Sequence, residues 1–108
     1  MPRNRGRKDN NQRGIEKALG QIPGVTFHDT SGQGRGFPDL VVGYRGKTFL
    51  FEIKNEEWSI ALTKDEKIWH NSWTGHVETV TNLNQILKAI GICQIRNSQS
   101  GGALGTQL

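Results

Sequence analysis

The sequence predicts an α/β fold, a mixed β-sheet flanked by helices in the order helix, three strands, helix, strand, helix. Three observations carry this. Near each end, apolar residues recur at i, i+3, i+4 and i+7: Ile15, Ala18, Leu19, Ile22, and Leu83, Ile86, Leu87, Ile90. That is the period of a helix with one buried face. Between them, Lys47 to Lys54 (KTFLFEIK) sets Phe49, Phe51 and Ile53 on alternate positions, the period of a strand. Glycine and proline separate these runs at the spacing of short turns.

Taken in order, the first helix covers Ile15 to Ile22 and ends at Pro23-Gly24. Val25 to Asp29 has strand composition, and Ser31 to Gly36 (SGQGRG) reads as a loop. Asp39 to Tyr44 forms the second strand, Arg45-Gly46 the break, and Lys47 to Lys54 the third strand. Thr63 starts the second helix, with Ile68, Trp69 and Trp73 on one side and Gly75 past its end. His76 to Thr81 is the fourth strand. Asn82 caps the last helix and Gly91 closes it. Residues 92–96 (ICQIR) have the composition of an edge strand.

The chain has 108 residues, which bounds it to one domain. Its formal net charge of +4 lies wholly in the first 13 residues, where Arg3, Arg5, Arg7, Lys8 and Arg13 stand against Asp9 alone. The sequence thus divides into a basic flexible arm (1–13), a neutral folded domain (14–96) and a Gly- and Ser-containing flexible tail (97–108). A short basic arm suits either contact with nucleic acid or simple solubility. No apolar run is long enough for a membrane span or a signal-peptide core. Cys93 is the single cysteine, which excludes an internal disulfide and a cysteine-based zinc site and fits a reducing cytoplasm. So small a domain gains from dimerisation.

The chemistry is expected at the hairpin of the second and third strands. With Arg45-Gly46 as a two-residue turn, Tyr44 pairs with Lys47, and Asp39 falls opposite Glu52. Facing side chains of such a pair are roughly 4.5–5.5 Å apart. Two carboxylates at that distance repel, and a divalent cation between them turns the cost into a binding site. Oxygen ligands of this kind suit magnesium or manganese. Lys54, two residues after Glu52, shares its face. A surface salt bridge of Lys54 with either acid remains the plain alternative.

Pro38-Asp39, twelve intervening residues, then Glu52-Ile53-Lys54 matches the pattern of the PD-(D/E)xK nuclease superfamily. The fuller string, Gly36 to Gly43 (GFPDLVVG) with Phe51 to Lys54 (FEIK) and Leu62-Thr63, resembles the VRR-NUC family, especially its small stand-alone phage-type members. The resemblance covers residues 14–91 and implies a restriction-endonuclease-like core. It implies a Mg²⁺-dependent endodeoxyribonuclease, Mn²⁺ substituting, that leaves 5′-phosphate and 3′-hydroxyl ends in a bacterial or phage-infected cell. Asp39, Glu52 and the main-chain carbonyl of Ile53 would hold metal, and Lys54 would orient the attacking water. Glu16 matches an acidic residue on the first helix that helps position metal or water, though by sequence alone it only flanks the apolar stripe.

Glu66 stands where the family often has glutamine, but Thr63-Lys-Asp-Glu66 is also a capping box, and the two roles compete for one side chain. Arg35, Trp58 and the basic arm are the candidate DNA contacts. Trp69 and Trp73 share a helix face and are expected to pack in the core or a dimer interface. His28, His70 and His76 have no metal spacing. The absence of a sequence-reading module favours DNA shape, such as a four-way junction or flap, with resolvase-like relatives in mind. The competing function is a non-catalytic DNA-binding accessory protein that retains the fold.

Overall fold

The computed structural model describes residues 2–57 and 59–92, and for residues 2–10 the backbone only. Seven elements follow one another: α1 (Pro2–Leu19), β1 (Val25–Asp29), β2 (Leu40–Tyr44), β3 (Lys47–Ile53), α2 (Lys64–Ser72), β4 (Glu78–Val80) and α3 (Leu83–Ile90). The expected order holds. Among the described residues the strands form one mixed sheet, β1-β2-β3-β4. The first three are antiparallel and β4 runs parallel to β3. A parallel neighbour cannot be reached by a tight turn, so α2 lies in the crossover. No described helix is long and apolar enough to cross a membrane.

The β2–β3 register is the expected one, from Tyr44↔Lys47 to Leu40↔Phe51. Arg45 and Gly46 both have positive φ, 52° and 80°, as a two-residue turn matched to the strand twist requires. Leu40, Val42, Phe51 and Ile53 enter one buried cluster with Ile15 and Leu19 of α1, Val25, Val80, and Ile86, Leu87 and Ile90 of α3. The face bearing Glu52 and Lys54 is buried as well. Asn82 accepts from the Gln85 N–H at 3.0 Å and Gly91 takes φ 97°, so both ends of α3 are capped as read.

Two expectations change. First, α1 begins at Pro2, so the segment read as a flexible arm is the front of a helix. Proline is tolerated at a first helical position. The segment has almost no apolar residues, so it carries no helical period to detect. Its last part is tied down by polar contacts described below. Second, α2 buries no residue: Ile68 is 58% exposed and Trp73 42%. Trp69 stacks on Trp73 at 4.8 Å and meets Phe37 edge-on at 5.2 Å, so these rings pack outside the core. The proposed strand 92–96, the tail 97–108 and Trp58 lie outside the described residues, apart from Ile92.

The loop before Asp39 is pressed against α2. Gly36 has φ 85°, and a Cβ there would stand 2.3 Å from the Asp65 carbonyl oxygen. Both the backbone conformation and the space exclude a side chain. Gly36→Ala is expected to cost about 2–4 kcal/mol, measured by urea denaturation. A variant as stable as wild type would show that the loop stands off the helix.

Candidate active site

Asp39 is buried immediately before β2. Its Oδ2 accepts from the Ile53 N–H at 2.9 Å, so a side chain continues the ladder one step beyond Leu40↔Phe51. Its main-chain carbonyl accepts from the Thr30 N–H at 2.9 Å. The Thr30 hydroxyl donates to the Pro38 carbonyl at 2.7 Å. These bonds seat the Pro-Asp corner on β1.

Glu52 is 0% exposed, and among the described residues neither of its carboxyl oxygens meets a hydrogen-bond donor. The cation beside it, Lys54 Nζ, stands 3.8 Å from Oε2, too far for a hydrogen bond. Its neighbours within reach are the carboxyls of Asp39 and Glu66. Burial, then the Asp39 charge, then contact with Glu66 push the Glu52 carboxyl up to about 10. Burial among acidic neighbours therefore favours the protonated form of Glu52.

Lys54 is 7% exposed and donates to Glu66 Oε1 at 2.8 Å. The same oxygen accepts from the Thr63 N–H at 2.8 Å, while the Thr63 hydroxyl accepts from the Glu66 N–H at 3.2 Å. The capping box is complete, and the two roles read as rivals are combined on one atom. Burial works to raise the Glu66 carboxyl. Contact with Glu52, the Lys54 ammonium and the Thr63 N–H outweigh it and hold Glu66 at about 2. His70, one turn further along α2, has its pKa lowered by burial. Thr63→Ala removes the hydroxyl half of the box and is expected to cost about 1 kcal/mol, read as a lower urea midpoint with unchanged slope.

Glu16 stands on α1, one side chain away from Asp39. Its Oε2 accepts from Gln12 Nε2 at 2.8 Å, and that nitrogen also donates to Asp29 Oδ1 at 3.0 Å and to the Asp39 carbonyl at 3.2 Å. Glu16 thus reaches the hairpin through Gln12. Asp29 is further held by the Ser31 N–H and hydroxyl. Burial opposes ionisation of Asp29, but the Ser31 and Gln12 bonds keep its pKa below the ordinary value. Ile53 meets Asp39 through its N–H. Arg35 is exposed in the loop at φ 57°. Arg13 lines a groove with Glu16, Lys17 and Phe27. Arg3, Arg5, Arg7 and Lys8 stand on the first two turns of α1, their side chains outside the described set.

Asn11, Gln12 and Asp29 were not singled out by sequence reasoning. A signal existed: Gln12 precedes Ile15 and Leu19 at helical spacing, on the inward face. It was masked because the segment reads as an arm.

Among the described residues no group of three or more His, Cys, Asp or Glu is arranged to hold a metal ion. Magnesium commonly uses only one or two carboxylates and keeps several waters. The pair Asp39 and Glu52, with both Glu52 oxygens lacking donors, has the chemistry of such a site. No family model, no curated protein and no solved structure matches the chain.

Proposed function

We propose that the protein is a divalent-metal-dependent endonuclease with a restriction-endonuclease-like core, hydrolysing DNA phosphodiester bonds, with branched DNA as its substrate and a homodimer as its working form. The observation that carries this reading is Glu52, a fully buried carboxyl whose oxygens meet no donor among the described residues, beside Asp39 and Lys54. A fold that keeps so costly an arrangement has a use for it.

Asp39 and Glu52 would hold magnesium or manganese. Such an ion neutralises phosphate charge and lowers the pKa of bound water. Asp39 is held in place for this by the Ile53 N–H. Glu52 gives up its proton when it takes on a cation. Lys54, steadied by Glu66, places its ammonium beside Glu52 to orient water and to meet the developing charge on phosphate.

The test is cleavage of labelled four-way junctions, flaps, duplex and single strands in Mg²⁺, Mn²⁺ or EDTA, with wild type and Asp39→Asn. Cutting of branched DNA that EDTA and Asp39→Asn both abolish is the expected result. Tight binding with no cutting in either metal overturns it and leaves a DNA-binding accessory protein.

A further inference from the structure

At the site end of the β2–β3 hairpin the regular ladder stops at Leu40↔Phe51. Asp39 and Lys54 lie beyond it. Two adjacent side-chain amides on α1 reach their main-chain carbonyls. Asn11 Nδ2 donates to the Lys54 carbonyl at 3.1 Å, and Gln12 Nε2, whose two protons serve three acceptors, shares one of them with the Asp39 carbonyl at 3.2 Å. Gln12 is 7% exposed, and its amide is aimed by two carboxylates, Asp29 and Glu16. Bonds to carboxylates are stronger than neutral ones, so the orientation of Gln12 is well determined. Successive residues of a helix point about 100° apart, which is how neighbours serve two separate strands.

We propose that Asn11 and Gln12 are positioning residues, an amide clamp from α1 that fixes the separation of Asp39 and Lys54 where the β2–β3 ladder no longer does. On their other sides Asp39 and Lys54 are tied to β1 and β4 through Thr30 and Val80 respectively. Glu16 and Asp29 belong to the clamp, acting through Gln12. The catalytic part of the inference rests on the nuclease reading; the clamp itself does not.

Gln12→Met keeps the length of the side chain and removes its donors. Asn11→Ala, at a partly exposed position, is the second variant should the first fold poorly. Native-state hydrogen exchange is measured first, because it needs no activity. The Ile53 N–H, which donates to Asp39, is expected to exchange at least tenfold faster in Gln12→Met, with the Val42 N–H unchanged. Equal exchange at Ile53, or uniform acceleration everywhere, overturns the clamp.

Cleavage kinetics and Mn²⁺ titration come second, at a temperature where both variants are folded. Outer-sphere partners of a metal site are worth about 10–100-fold. That loss is expected in kcat and in Mn²⁺ affinity, with KM for DNA within about twofold. A loss in KM alone, or kcat and Mn²⁺ affinity equal to wild type, overturns the catalytic role. Failure of the nuclease reading shows differently, as wild type that neither cuts nor binds Mn²⁺, and exchange at Ile53 then still decides the clamp.

Discussion

Glu52→Gln is expected to make the protein more stable and to abolish metal-dependent cutting. The carboxyl is fully buried and meets no donor among the described residues, while Asp39 and Glu66 lie within reach as acceptors. A glutamine amide brings two permanent donors to the same place, where the protonated carboxyl has one and must lose it as pH rises. Relieving a buried, poorly satisfied group is worth about 1–3 kcal/mol. Each kcal/mol shifts Tm by roughly 4–8 °C in a small domain.

The effect has a pH signature. With the Glu52 pKa raised from 4.5 to about 10, the native state keeps a proton that the unfolded chain releases between those values. Stability of the wild type therefore falls as pH rises across that window. Glutamine has no such slope, so the advantage of the variant widens from pH 5 to pH 9. Thermal melts of both proteins at several pH values measure it. A gap that is constant or reversed shows that Glu52 is not held protonated.

Lys54→Met is expected to reduce cutting by about a hundred- to a thousandfold and to destabilise the fold, the opposite pairing of effects. The loss of cutting follows from removing the ammonium nearest the carboxylates at a preorganised site. The loss of stability follows from stranding Glu66, which is bonded to Lys54 at 2.8 Å and mostly buried. Removing one partner of a buried pair costs about 3–5 kcal/mol.

Glu66 is held down at about 2 against an ordinary 4.5. Its contribution is present above pH 4.5 and lost as pH falls toward 2. The difference between wild type and Lys54→Met should shrink between pH 5 and pH 2.5 in urea titrations. The double variant with Glu66→Gln should regain much of the stability and none of the cutting. Restored cutting in that double variant would remove Lys54 from the chemistry.

The hairpin was legible in the sequence because it obeys local rules. Arg45-Gly46 fixes the turn, the turn fixes the register, and the register brings the positions of Asp39 and Glu52 together. The caps of α2 and α3 were legible for the same reason. The front of α1 was not, because a polar helix held by side-chain amides has no hydrophobic period. Nor was the dual use of Glu66 Oε1. A capping box is a statement about three neighbours in sequence, whereas the approach of Lys54 depends on how α2 lies across the sheet. The packing of Trp69 was hard to read for a related reason: helix-face logic assumes an apolar contact with the core, and α2 meets the body through Glu66 and the Phe37–Trp69 contact.

The Arg45-Gly46 turn has a role at a distance. It lies five residue pairs from the Leu40↔Phe51 end of the ladder, about 17 Å away. Strand faces alternate with every residue, so the turn sets the parity of everything beyond it. One residue inserted there, with a two-residue turn re-forming at the tip, would bring Asp39 level with Phe51 or Ile53 in place of Glu52. Two inserted residues would leave the pairing intact. So long as the tip keeps a two-residue turn, lengthening here is tolerated in steps of two, much as a reading frame tolerates only whole codons.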